Sequence, residues 1–152
     1  MKTICKNLRV LTAPNSGAMT FSGTNTYILG SGSNLCIIDP GPQNKDHYDK
    51  IHELLRVEKP RCILVTHSHL DHSESAGKLA DEFSIPIFAH GNPAGARSEF
   101  MKQIVQNSEE IGGLEGLDQD FCPDSRILGG ETISGNDWTL EVLHTPGHLS
   151  DH

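Results

Sequence analysis

The chain has 152 residues, 36% of them apolar, which suffices for one sizeable core and requires no second domain. A formal net charge of −8 argues against a nucleic-acid footprint spread over the whole surface, although it leaves room for a local basic groove or for bound cations. No stretch is long and apolar enough for a membrane span, Met1 to Leu11 is interrupted by Lys2, Lys6 and Arg9 as a secretory leader would not be, and the four cysteines show no Cys-x-x-Cys spacing. Free thiols and a cytoplasmic location are the expectation.

In chain order, Thr24 to Gly30 and Asn34 to Asp39 read as two strands joined by the glycine-bearing turn Gly30 to Ser33, and Pro40-Gly-Pro42 breaks the second. His47 to Leu55 places Tyr48, Ile51, Leu54 and Leu55 at helical spacing, and Pro60 ends that helix before an apolar strand from Arg61 to Val65. Ser73 is the expected cap of a helix through Phe83, with Ile85 to Ala89 as the next strand. From Gly91 to Pro123 the pattern weakens. Glu99 to Ile111 suits a helix ended by Gly112-Gly113, followed by a loop crossing the site, and Trp138 to His144 alternates as a strand before the turn Thr145-Pro-Gly147. Strands alternating with helices define an α/β layer structure.

The residues that carry chemistry follow two of these strands: Thr66-His-Ser-His-Leu-Asp-His72, and Thr145-Pro-Gly-His148. Both loops are expected at one edge of the sheet. Side chains alternate in extended backbone, so His67 and His69 face the same way and can share one cation at about 2.0–2.1 Å. Where the chain turns into the helix, Asp71 and His72 offer a carboxylate and an imidazole to a neighbouring position, which suits a second metal roughly 3.5–4 Å from the first. His148 alone would be an ordinary structural histidine, and its place after a strand and a Pro-Gly turn makes it a ligand candidate. The bland alternative is a solvated polar loop with fortuitous histidines. His144 is expected to be hydrogen-bonded inside its strand, and His47, His52 and His90 lack ligand spacing and read as surface or capping residues.

With Asn34 to Gly41 preceding it and Thr-Pro-Gly-His148 following it, the His-x-His-x-Asp-His motif resembles the metallo-β-lactamase superfamily over nearly the whole chain. Gly23 to Gly30 and the ending Thr-Pro-Gly-His-Leu-Ser-Asp-His152 are similar to its lactamase-β-like 2 branch. The resemblance implies the N-terminal half of an αββα sandwich, with one metal on His67, His69 and His148 and a second on Asp71 and His72. It further implies that Asp39 is a buried carboxylate steadying the metal loop, and that His152 is not a ligand. Relatives add a bridging Asp and a further His beyond the equivalent of residue 152, so the chain reads as truncated and expressed alone is expected to associate or to be poorly soluble.

The resemblance also implies two zinc ions in the intact protein, with manganese or iron as substitutes. Such a pair supports hydrolysis of an ester, thioester, lactone or phosphodiester without a serine or cysteine nucleophile, Asp71 orienting water and accepting its proton. Substrates in view are a small-molecule ester or thioester and a single-stranded RNA, with no membrane partner and with a homo-oligomer open. Two other readings stay open: a mononuclear iron enzyme resembling persulfide dioxygenases, and a catalytically incompetent fragment that mediates assembly.

Overall fold

The computed structural model describes residues 1–91 and 116–152, and the expected helix over Glu99 to Ile111 lies outside them. Strands β1 (Lys2–Cys5), β2 (Leu8–Thr12), β3 (Asn25–Leu29), β4 (Leu35–Ile38), β5 (Pro60–Val65), β6 (Ile87–Ala89) and β7 (Ser125–Arg126) line up in chain order as one sheet. The pairs from β1 to β4 are antiparallel and those from β4 to β7 are parallel. Helices α1 (Lys45–Val57), α2 (Leu70–Ser73) and α3 (Ala76–Phe83) follow β4 and β5. A separate hairpin pairs β8 (Thr132–Ser134) with β9 (Thr139–Glu141).

The parallel strands β4 to β6 are apolar almost without interruption because both of their faces are covered, whereas β7 at the sheet edge is Ser125-Arg126 and exposed. Alternation sends Ile37, Ile63 and Val65 to the helices, where they meet Tyr48, Ile51 and Leu55 of α1 and Leu79 of α3. It sends Cys36 and Cys62 the other way, against Trp138, with Ile38, Leu64, Phe88, Ile133 and Leu140 around them. Ile37, Ile51, Ile63 and Leu79 are wholly buried, and burial of each such side chain is worth about 1.5–3 kcal/mol. Trp138 is fixed by its indole N–H, which donates to the Asn34 carbonyl at 2.9 Å. No cysteine is bridged, although Cys36 and Cys62 sit opposite each other on β4 and β5 with sulfurs 3.6 Å apart.

Several boundaries differ from the sequence expectation, each for a local reason. Ser73 does not cap the long helix: its hydroxyl donates to Asp118 at 2.8 Å and lies 3.1 Å from the His69 carbonyl, a short turn of helix forms inside the histidine motif, and α3 starts at Ala76. The turn after β3 contains a 3₁₀ turn at Gly32–Asn34. Pro60 opens β5 as well as following the helix, a position where its missing N–H costs little. β9 stops at Glu141, which leaves His144 outside the strand and exposed, its ring stacked on His90 with centroids 4.1 Å apart. His47 is buried and not at the surface: its Nε2 lies 2.8 Å from the Thr26 hydroxyl, while Asn44 caps α1 by accepting from the His47 N–H.

The loops carrying Asp39 and the histidine motif leave the carboxyl ends of parallel strands, where open α/β sheets place their ligands. The His148 loop instead follows β9 of the separate antiparallel hairpin, so the two histidine loops do not leave one edge of one sheet as the sequence suggests. Asp39 follows β4, Thr66 to His72 follow β5, and His90 follows β6. Between the first two, Gly41 has φ +89° and its N–H donates to the His72 carbonyl. A Cβ there would come within 2.9 Å of the His47 ring, so this turn needs glycine on both conformational and steric grounds.

Candidate metal centre

β5 ends at Val65 and the chain bends at Thr66 and His67, bringing the His67 and His69 rings together while Ser68 between them is wholly buried. The loop after β9 brings His148 in from the other direction. His67 Nε2 and His69 Nδ1 are 3.1 Å apart, His148 Nε2 and His69 Nδ1 are 3.0 Å apart, and ligand atoms of all three residues lie within 4.8 Å of one another. Nitrogens about 2.0–2.1 Å from a tetrahedral ion are about 3.4 Å apart, so small rotations of these rings accommodate zinc.

The surrounding hydrogen bonds fix which nitrogen of His67 and of His72 is free. Asp39, buried and with φ +52°, accepts from the Thr66 N–H and from the Thr66 hydroxyl, both at 2.8 Å. That hydroxyl, its own proton committed to Asp39, accepts from His67 Nδ1 at 3.0 Å, which leaves the Nε2 lone pair facing His69 and His148. Asp39 also accepts from His72 Nδ1 at 2.8 Å, so His72 Nε2 points toward the Asp71 carboxylate, 3.4 Å away. Asp71 is aimed in turn by the Thr24 hydroxyl, which donates to it at 2.6 Å. One buried carboxylate therefore orients an imidazole at each of the two expected positions.

Proton affinities follow the same geometry. Burial, reinforced by the neighbouring His72, His69, His152 and His148, pushes His67 down to about 2, so it is neutral and ready to ligate. Burial and His148 also hold His69 below its ordinary value. Burial acts on His72 in the same downward sense, but the hydrogen bond and charge of Asp39, with the charge of Asp71, outweigh it and raise the ring above its ordinary value.

His69 and His148 line one cleft together with Asp71 and His72, bordered by Met19, Thr20, Pro42, Leu70, Glu74 and Gly116, while His67 is buried behind them. The segment from Gly116 runs beside the motif as expected of a crossing loop: Leu117 forms a bridge with His69, and the Asp118 N–H donates to the Ser68 carbonyl. His152 lies outside the three-ligand group, its Nδ1 2.8 Å from the Thr145 hydroxyl and its ring centroid 5.0 Å from His67. His52 and His90 stand apart from the cleft, the former 3.3 Å from Glu82 on the helical side. Sequence reasoning passed over Thr24, Thr66 and Asp151. Thr66 was legible as the residue before the motif, whereas Asp151, buried and accepting from the Ser68 N–H at 3.0 Å, carries no spacing signal.

A mixed sheet flanked by helices, with a three-imidazole cluster assembled from the loops after β5 and β9 and an adjacent Asp-His pair, defines a candidate metallohydrolase scaffold. The chain belongs to the metallo-beta-lactamase superfamily, whose family model matches residues 19–152. It is 31% identical to the atrochrysone carboxyl ACP thioesterase of Passalora fulva over 95% of this chain and 36% of that protein. It is also 31% identical to the hydroxyacylglutathione hydrolase GloC of Haemophilus influenzae, over 87% of this chain and 59% of that one. A beta-lactamase-like protein 2 homolog of Drosophila melanogaster is 28% identical over 91% of this chain and 44% of its own length. A subclass B3 metallo-beta-lactamase of Bradyrhizobium japonicum superposes with a TM-score of 0.59 at 19% identity, over 86% of this chain and 49% of that one, a likeness of fold. The chain thus spans between about a third and three-fifths of the length of these curated relatives.

Proposed function

We propose that the protein is a metal-dependent hydrolase in which His67, His69 and His148 hold a first zinc ion and Asp71 and His72 contribute to a second. Residues 1–152 would form part of a single metallo-β-lactamase-like domain. The observation that carries this is the convergence of three imidazoles from two loops, with a bare Nε2 enforced on His67 by the Thr66–Asp39 relay. When bound, zinc lowers the pKa of water from about 15.7 to about 7 and polarises a carbonyl or phosphoryl oxygen. The chain supplies the rest. Asp71, held by Thr24 and open to the cleft, orients the attacking water and accepts its proton, and Asp39 holds His67 and His72 in the tautomers this requires.

Among substrates, a thioester has the best support, because two relatives carry the names of a thioesterase and a hydroxyacylglutathione hydrolase. Metal analysis after dialysis, run beside a panel of thioester, ester, lactone and single-stranded RNA substrates, tests metal and substrate together. Zinc at one equivalent or more, with thioester turnover lost on chelation and restored by zinc, is the expected result. Retention of one redox-active iron with oxygen uptake would overturn it.

A further inference from the structure

We infer that Asp151 is a positioning residue for the metal loop, its buried carboxylate holding the peptide between His67 and His69 in register with His148. This rests on the metal reading proposed above. Asp151 is 2% exposed, and its Oδ2 accepts from the Ser68 N–H at 3.0 Å, joining residues 83 positions apart in the chain. The bond therefore ties together the two loops that carry the three histidines.

Ser68 is the natural place to grip. Its side chain points away from the cleft, so the peptide flanked by His67 and His69 is the lever that moves both. Three main-chain anchors converge on this stretch. Asp39 takes the Thr66 N–H, Asp151 takes the Ser68 N–H, and the Ser68 carbonyl accepts from the Asp118 N–H at 2.8 Å. Of these, Asp151 alone moves with His148. The Thr145 N–H donates to the His152 carbonyl at 2.8 Å and the Gly147 N–H to that of Leu149 at 3.3 Å, closing residues 145–152 into one compact turn with His148 and Asp151 three residues apart in it.

The energetics argue against mere stability as the reason for this carboxylate. Its Oδ1 is buried with no hydrogen-bond partner among the described residues, and burying a carboxylate carries a desolvation cost that a single hydrogen bond offsets only in part. What it provides is a short, directional, charge-assisted acceptor for a peptide N–H that water does not reach. An asparagine oxygen can accept the same bond, whereas alanine cannot.

Cobalt(II) titration of the full chain, read by its visible d–d bands and by competition for affinity, tests the inference. The expected result is that D151A weakens cobalt binding about 10- to 100-fold and shifts the bands, while D151N stays within about threefold of the wild type with unchanged bands. D151S, which keeps a small polar group but cannot span the gap to Ser68, is read in the same way should D151A not fold. Unchanged affinity and bands in D151A or D151S would overturn the positioning assignment and leave the metal reading intact. So would a loss in D151N as large as that in D151A, since the charge and not the hydrogen bond would then be responsible. A wild-type chain that binds no cobalt would overturn both.

Discussion

The two candidate metal positions are built from the same six-residue motif, yet they differ in how much of the fold stands behind them. The first draws His67 and His69 from one loop and His148 from another, and nitrogens of all three meet within 4.8 Å. The second draws Asp71 and His72, neighbours in sequence, whose side chains are 30% and 24% exposed and which already make hydrogen bonds to Thr24 and Asp39. A position closed by two independent loops is fixed by tertiary structure, whereas one made of adjacent residues at the start of a helix is fixed mainly by local turn geometry. The first should therefore bind metal tightly and with little rearrangement. Among the described residues the second supplies two ligands, where three or four are usual, and should bind more weakly.

The contrast breaks most readily at its stronger side. His67→Ala or His148→Ala leaves two imidazoles where three converge, and the expected outcome is loss of the tightly held ion and of hydrolysis, with the fold retained because α1, α3 and the sheet do not depend on either ring. Plasma emission after dialysis with circular dichroism on the same samples checks this. Full metal occupancy in both variants would show that the three-histidine position is not the metal site. His72→Ala gives the control: the tight ion should remain while any weaker second equivalent disappears from a zinc titration.

Asp39→Asn tests what the two positions share. The amide oxygen can still accept from Thr66, but the amide cannot take up every donor that the carboxylate now accepts from the Thr66 N–H, the Thr66 hydroxyl and His72. Metal affinity should fall by roughly 10- to 100-fold, the range usual for partners that orient metal-binding side chains, and both positions should weaken together. A titration in which only one position weakens would mean that Asp39 serves a single ring and that the positions are oriented independently.

Much of this arrangement is legible in the sequence, and the rest is set by contacts between segments far apart in the chain. The apolar strands β4 and β5 and helix α1 declare themselves through period, and the histidine motif declares itself through chemistry after a strand. Asp39 was placed by resemblance, and its burial and contact with His72 agree. Strands β1 and β2, interrupted by Lys2, Lys6 and Arg9, are not anticipated, nor are the short strands β7 and β8 and the hairpin over Cys36 and Cys62, where two or three residues carry no period to detect. His47 and His144 exchange the environments expected of them for the same kind of reason. Burial of His47 depends on Gly41 and Thr26 lying across it, and exposure of His144 on β9 ending three residues earlier, neither of which is a property of the local sequence.

Acidity separates the two positions by a smaller but measurable amount. In the metal-free chain His67 takes up a proton only near 2, against 6.5 for an ordinary histidine, and His69 is also lowered, whereas His72 is raised above 6.5. Between those values the unfolded chain binds a proton that folded His67 refuses, so the contribution of His67 to stability is present above 6.5 and is lost as pH falls below it. His72 has the opposite sign. Its folded form holds the proton more strongly, so its contribution is present below 6.5 and is lost as pH rises through the raised folded value. Metal binding requires both rings to be unprotonated at the ligating nitrogen. On acidification just below neutrality His67 and His69 should not take up a competing proton, while proton competition at His72 should cost the second position up to about tenfold per pH unit. Imidazole resonances of the metal-free chain, followed by NMR across this range, should show His72 titrating above 6.5 and His67 not titrating before the chain unfolds in acid. If His72 titrates below 6.5, the hydrogen bond to Asp39 does not outweigh burial, and the contrast in acid response between His72 and His67 should then shrink.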